Sequence, residues 1–397
     1  MEAVDRRSFL KQLGYAGALS GLPTTAFAEG HVIHERAEPG QAADVKPEHS
    51  IRFAVCGMSH DHIYGMVGAV MRGGGVLVSV YASEPERGAA FVKRFPQAKL
   101  VKSEAEILDD PSIQLVLTSQ VPVERAGIGI RAMRRGKDFL SDKPGITTLE
   151  QLAEVRKTIQ ETKRIYAIMY SERLEVKAAV KAGELVKSGA IGQVIQTVNL
   201  APHQVVQKGG DAGGGTGRPD WFWEPAKYGG ILTDIGSHQV DQFLYYTGSD
   251  QAEVVASQIA NVHHHDRPDF QDFGDVMLRG NRGAGYVRVD WFTPDGLGTW
   301  GDGRLFILGT EGYIELRKYI DIAGRKGGNH LFITDRNQTR YIDCNDVFLP
   351  FGPQFVADIV NRTHVAQDQQ QCLLAAELVL KAQKNAAHVK FFDSPKA

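Results

Sequence analysis

Lys143, Asp234 and His238 are the residues from which a reaction is most readily written. Lys143 lies in Ser141-Asp142-Lys143-Pro144-Gly145. The other two lie in Gly229-Gly230-Ile231-Leu232-Thr233-Asp234-Ile235-Gly236-Ser237-His238-Gln239-Val240-Asp241. Four apart on a helix, Asp234 and His238 stand about 6 Å from each other along one face. There the carboxylate can orient the imidazole or hold a substrate hydroxyl. Histidine exchanges a proton near neutral pH, and a lysine across a cleft stabilises a developing alkoxide. Such a set suits oxidation of a secondary alcohol, in which a base takes the hydroxyl proton while hydride leaves the carbon. Each residue also has an ordinary explanation. An exposed i,i+4 Asp–His pair contributes only about 0.2–0.5 kcal/mol, an acid in the first turn serves the helix dipole, and a lysine before proline is commonly a solvated loop residue.

A second group of residues suits a dinucleotide. The apolar run 51–56 ends in Gly57-Met58-Ser59-His60-Asp61-His62, where a nucleotide fold carries G-x-G-x-x-G to approach a pyrophosphate at a helix N-terminus. The first glycine is kept, and Ser59 and His62 take the second and third places. The acid that would bind the adenosine ribose is expected at Ala82, followed by Ser83 and Glu84. A missing acid removes repulsion against a 2′-phosphate and leans the choice to NADP, while Glu84 could serve NAD. His60 and His62 do not share a helix face at i,i+2, so phosphate contact or loop structure is expected there and no metal.

The elements that must position these residues follow from periodicity. Strand-like runs at 51–56, 76–81, 113–119 and 138–141 alternate with helical stretches at 61–72, 86–95 and 126–135, which predicts a doubly wound parallel sheet with its site at the carboxyl ends of the strands. Beyond about residue 165, after a helix over 175–187, period-two runs recur at 193–200, 253–259, 272–278, 284–291, 304–308 and 312–317. Gly-rich turns join them, as expected of a largely antiparallel, one-sided sheet. Helices over 354–363 and 370–388 close the chain.

With those elements in place, the two motifs resemble the Gfo/Idh/MocA family of sugar and polyol oxidoreductases. That family carries Glu-Lys-Pro after its dinucleotide domain and G-G-x-L-x-D-x-G-x-H-x-x-D in its catalytic helix. The resemblance covers residues 50–390, including Gly189-Ala190-Ile191-Gly192 and Leu308-Gly309-Thr310-Glu311-Gly312. It implies a Rossmann dinucleotide-binding domain over 50–165 and an α+β substrate and oligomerisation domain over 166–397 with a large, mainly antiparallel sheet. It makes Lys143 and His238 the acid/base pair and Asp234 the residue that binds and orients substrate. Gly57, Met58, Ser59, His60, His62, Ser83, Glu84, Ser119, Gln120, Arg125 and Lys143 become the expected contacts of NADP or NAD. Two departures stand out. Asp142 replaces the family's Glu, and Arg125 occupies a position where many relatives place a His near the nicotinamide.

Tyr170, Arg173, His203, Arg218 and Trp221, with Asp234 and His238, are the expected substrate contacts, because sugars present apolar ring faces and hydroxyl edges to aromatic and charged partners. His263-His264-His265-Asp266 reads as a loop, and no metal is expected there. The 397 residues carry 43% hydrophobic and 23% charged residues and a net charge of −2. This is a globular, two-domain composition, not that of a strongly basic nucleic-acid binder. Three scattered cysteines exclude a disulfide framework. Arg6-Arg7 followed by Ser8-Phe9-Leu10-Lys11, a short apolar run and Ala26-Phe27-Ala28 read as a twin-arginine export signal over 1–28, with a polar linker over 29–49. The expected protein is periplasmic or otherwise exported and has no membrane anchor. It acts on a small-molecule sugar and forms a dimer or tetramer through its C-terminal sheet. Nicotinamide cofactors are not expected to be regenerated outside the cytoplasm, so the cofactor is expected to stay bound and be recycled internally. Redox-neutral glycosidase or lyase chemistry and a non-catalytic sugar-binding role are the alternatives.

Overall fold

The computed structural model describes residues 32–37, 47–205 and 218–391. The expected export signal and the Gly-rich stretch 209–217 lie outside them. Among the described residues no helix is long and apolar enough to cross a membrane.

The first half of the chain builds a parallel sheet. Its strands are β2 (Ile51–Met58), β3 (Gly75–Tyr81), β4 (Lys99–Leu100), β5 (Leu115–Ser119), β6 (Asp138–Asp142) and β7 (Tyr166–Met169), in the order β4-β3-β2-β5-β6-β7. Every residue of β5, β6 and β7 is buried, as required of strands with helices on both faces. Helices His62–Arg72, Pro85–Arg94, Pro122–Arg134 and Leu149–Thr162 supply that cover. β2 lies between β3 and β5, so the winding reverses there and opens a crevice at the strands' carboxyl ends. The backbone N–H of Ser59 donates to the carbonyl of Ser119 across it. The parallel sheet runs past the expected boundary at residue 165, because β7 pairs with β6 from Phe139↔Tyr166 to Asp142↔Met169.

The second half builds a ten-stranded sheet. Its strands are β1 (Ile33–Arg36), β8 (Val194–Pro202), β9 (Ala252–Ala260), β10 (Phe273–Gly280), β11 (Ala284–Asp290), β12 (Arg304–Gly309), β13 (Tyr313–Arg317), β14 (His330–Thr334), β15 (Thr339–Asp343) and β16 (Ala387–His388). The order is β1-β15-β14-β13-β12-β8-β11-β10-β9-β16. Most pairings are antiparallel, and β1–β15, β8–β11 and β9–β16 are parallel. β1 corrects the expectation of a linker over 29–49. Ile33-His34-Glu35-Arg36 adds an edge strand opposite Arg340–Asp343. Side chains alternate between faces as a half-covered sheet requires. Leu305, Ile307, Ile314, Leu316, Leu331 and Ile333 are buried on one face, while Met277, Phe306, Leu308 and Tyr313 are exposed. Helix Gly236–Thr247, nearly all of it buried, lies against the covered face beside helix Gln369–Asn385.

Candidate active site

The dinucleotide loop keeps the one glycine it cannot replace. Gly57 has φ +82°, and a Cβ there would stand 2.8 Å from the Cβ of Gln120. Only glycine combines that backbone with so close a neighbour. Ser59 points away from the crevice mouth. Its hydroxyl lies 2.8 Å from Glu84 Oε1 and 2.5 Å from Gln120 Oε1, while Ser83 donates to Glu84 Oε2 at 2.7 Å and accepts from Gln120 Nε2 at 2.9 Å. This network draws Glu84 over the loop, where the spacing had placed Ala82. Two expected nucleotide contacts have other work. Met58 is buried in the core, and the buried hydroxyl of Ser119 donates to the His60 carbonyl at 2.6 Å. Helix His62–Arg72 begins with no side-chain cap at Asp61, and the first-turn N–H groups of Ile63 and Tyr64 make only long bonds, to the carbonyls of His60 (3.4 Å) and Asp61 (3.2 Å).

His60 and His62 converge on one carboxylate. His60 Nδ1 lies 2.9 Å from Asp142 Oδ2, and His62 Nδ1 lies 2.9 Å from Asp142 Oδ1. The i,i+2 argument fails because the loop, not a helix, sets the direction of His60. Ligand atoms of His60, His62 and Asp142 lie within 4.8 Å of one another, close enough to share one ion. Asp142 is also paired with the Arg125 guanidinium at 3.1 Å. Burial pushes the Asp142 carboxyl up, but Arg125 and both imidazoles reverse this and hold it well below its ordinary range. Arg125, expected near the nicotinamide, borders the cavity that Lys143 and His238 line. It is buried, and its other nitrogens donate to the carbonyls of Gln120 (2.6 Å), Lys143 (2.5 Å) and Pro144 (3.2 Å). It shapes the turn that carries Lys143, in which the Lys143–Pro144 peptide is cis.

Lys143 crosses to the second domain. Its Nζ donates to Asp234 Oδ1 at 2.9 Å. Both line a cavity of about 290 Å³ together with His60, His62, His203, Arg218 and His238. A helix through both residues would let Asp234 orient His238 or hold a substrate hydroxyl. Instead its helix ends at Asp234 and the next begins at Gly236, and the carboxylate turns to Lys143. His238 Nδ1 is buried without a partner. Burial lowers His238 to about 3, the nearby Glu172 opposing and Lys143 reinforcing the shift. Burial likewise lowers His203 and His60, each to about 4. The imidazoles are therefore neutral at pH 7. Burial raises the Asp234 carboxyl, but Lys143 more than offsets this and leaves it below its ordinary range.

His203, Arg218 and Trp221 stand at the cavity as expected. Arg218 donates to the carbonyls of Val205 (2.6 Å) and Gln204 (2.8 Å) and packs over Phe222 and Trp291. Tyr170 and Arg173 do not line it. Tyr170 is buried behind His238, and its hydroxyl donates to the Cys372 carbonyl at 3.3 Å. Arg173 is paired bidentately with Asp241, at 2.5 and 3.0 Å. The last acid of the sequence motif thus anchors a helix and faces no ligand. Spacing did not single out Glu172, between those two residues, which does line the cavity together with Trp291, Trp300 and Tyr319.

A sequence model described as "Oxidoreductase family, NAD-binding Rossmann fold" matches residues 51–170, and one described as "GFO/IDH/MocA C-terminal domain" matches residues 179–315. The chain belongs to the GFO/IDH/MocA family of oxidoreductases. Within that family it is similar to scyllo-inositol 2-dehydrogenase (NAD(+)) of Bacillus subtilis, with 26% identity over 74% of this chain and 82% of that enzyme. It is 29% identical to 1,5-anhydro-D-fructose reductase of Ensifer adhaerens over 48% of this chain, a match spanning only 55% of that enzyme. A crystal structure of an oxidoreductase-like protein from Erwinia carotovora atroseptica superposes with a TM-score of 0.81 at 44% identity, covering 85% of this chain and 99% of the other.

Proposed function

We propose that this GFO/IDH/MocA chain is an NAD(P)-dependent oxidoreductase that interconverts a secondary alcohol and a ketone on a monosaccharide or cyclic polyol. The observation that carries this reading is the Lys143–Asp234 pair beside neutral His238 in one 290 Å³ cavity. That volume lies near the lower end of small-molecule sites, about 300–1,000 Å³, and suits one sugar ring.

The residues of the crevice fit a dinucleotide. Gly57 gives the close turn beside the start of the first helix, and Glu84, held by Ser59 beside that loop, supports contact with a ribose diol. The Ser59 hydroxyl is engaged by Glu84 and Gln120. The carboxylate of Glu84 supports NAD over NADP, against the lean that Ala82 suggested. When bound, the nicotinamide supplies the hydride acceptor or donor.

Lys143, fixed by Asp234, donates to the substrate oxygen and stabilises the alkoxide as it forms. His238, held neutral, accepts the hydroxyl proton, and the nearby Glu172 charge favours the imidazolium that results. Arg218, Trp221 and Trp291 border the ring. The twin-arginine signal supports an exported enzyme whose cofactor stays bound and is reset within turnover. The exposed Met277, Phe306, Leu308 and Tyr313 support association of copies through the open sheet face.

The reading is tested by acid-denaturing the purified protein and identifying released nucleotide by mass spectrometry, together with single-turnover reduction of the resident nucleotide by scyllo-inositol, D-xylose and D-glucose. Resident NAD(H) with hydride transfer from one of these sugars is expected. A protein that neither holds nor binds a nucleotide is a binding protein on an enzyme's fold, and the reading fails.

A further inference from the structure

Glu172 opens the short helix Ser171–Leu174, on the first turn after the parallel sheet ends. It is 3% exposed, yet it lines the same cavity as Lys143, Asp234 and His238. Behind it lies a built network. Lys318 Nζ donates to Glu172 Oε2 at 2.7 Å and to Gln242 Oε1 at 2.8 Å, Gln239 Nε2 donates to the same Oε2 at 3.0 Å, and Gln242 Nε2 donates to the His238 carbonyl at 2.9 Å. Two of these donors, Lys318 Nζ and Gln239 Nε2, reach the one carboxylate oxygen Oε2. Oε1 has no partner among the described residues. Asp234 shows the same arrangement, with Oδ1 taken by Lys143 and Oδ2 without a partner among the described residues.

Two carboxylates, each tethered through one oxygen and open through the other, therefore meet in one small cavity. A carboxylate accepts hydrogen bonds and donates none. The matching group is a hydroxyl, and two of them call for a polyol. We propose that Glu172 is a second hydroxyl-accepting anchor of the substrate, and that with Asp234 it makes the cavity selective for an uncharged polyol over an anionic sugar. This rests on the oxidoreductase reading only for the identity of Asp234's partner as a reacting ring. Burial pushes the Glu172 carboxyl up, but Lys318, then His238 and His203, reverse this and hold it below its ordinary range, so it is ionised at neutral pH. An acidic sugar would bring a further negative charge beside two that have already lost their water. The opposing attraction comes from Lys143 and Lys318, each already paired with one of the two carboxylates, from Arg125, paired with Asp142, and from Arg218, whose guanidinium is tied to the carbonyls of Gln204 and Val205. The experiment measures which of these prevails.

Binding of scyllo-inositol, D-glucose and D-glucuronate to the full mature protein is measured by titration calorimetry, with NAD+ binding measured separately. At least one neutral probe is expected to bind, and D-glucuronate is expected to bind at least about 10-fold more weakly than D-glucose, or not at all. Glu172→Gln removes the charge and keeps the shape. It should weaken the neutral probe about 10- to 100-fold and narrow the discrimination against D-glucuronate. Should that variant fold poorly, Glu172→Gln combined with Lys318→Met removes both buried charges together, and the wild-type ratio alone still decides. Equal or tighter binding of D-glucuronate by the wild type overturns the assignment, as does an unchanged ratio in Glu172→Gln. Normal NAD+ binding with no neutral probe bound overturns it too and leaves the oxidoreductase reading standing. Sugar binding with the expected ratio but no nucleotide binding upholds Glu172 and removes the oxidoreductase reading.

Discussion

Lys143 Nζ stands 2.9 Å from Asp234 Oδ1, a contact between residues 91 apart in sequence that bridges the two sheets of the molecule. Both partners are largely enclosed, at 7% and 13% side-chain exposure. Such a pair is costly to break, because the remaining charge is left without compensation. The lysine can act on a substrate oxygen only if the carboxylate fixes its position and charge. Asp234→Asn is therefore expected to lower kcat by about 10²–10⁴-fold while NAD+ affinity changes little. Steady-state kinetics beside nucleotide titration check this. Loss of nucleotide binding in step with kcat would assign the pair a structural role.

Asp142 is a different kind of residue. It accepts from His60, His62 and Arg125 in a site where both it and Arg125 are 1% exposed. Asp142→Asn leaves the guanidinium buried without its counter-charge and deprives one imidazole of its acceptor. A loss of about 3–5 kcal/mol is expected, read as a lowered urea midpoint with unchanged slope. Asp142→Glu, the residue the wider family uses, should recover part of that stability.

The contrast between these two acids shows what was legible in the sequence. Fold class, strand alternation and the Lys143, Asp234 and His238 positions could be read from period and motif, because such patterns record which face is buried and which turn carries a side chain. Side-chain pairing could not be read. Arg173 reads as a cleft residue, but it pairs with Asp241 in the core. Arg125 holds three carbonyls of its own chain. Glu172 had no motif around it, and its role depends on Lys318, a residue that only the ten-stranded sheet brings near. Strand β1 was missed because four residues of mixed character give no period to detect.

Acid stability follows from His238. It is 2% exposed, and burial lowers it to about 3 from an ordinary 6.5. The unfolded chain takes up this proton near pH 6.5, and the folded protein does not until about pH 3. Folding is therefore progressively disfavoured as pH falls through that window, and the penalty levels off below it. Thermal unfolding followed from pH 7 to pH 4 should show a falling midpoint, and His238→Asn should show a shallower fall over the same range. Identical pH slopes in the two proteins would mean that His238 takes up its proton over the same pH range folded and unfolded.

Cofactor choice turns on Glu84. Ser59 and Ser83 hold its two carboxylate oxygens at 2.8 and 2.7 Å, which fixes the charge above the loop after β2 and beside the end of β3. A ribose diol donates to such a carboxylate, and a 2′-phosphate is repelled by it. The wild type is therefore expected to bind NAD+ at least about 10-fold more tightly than NADP+. Glu84→Gln keeps an acceptor for the serines and removes the repulsion. It should raise NADP+ affinity about 10-fold and lower NAD+ affinity by less, bringing the two together. Titration of each nucleotide by quenching of tryptophan fluorescence reads both constants without turnover. Tighter NADP+ binding in the wild type would show that the carboxylate is turned away from the ribose and that the absence of an acid at Ala82 sets the preference.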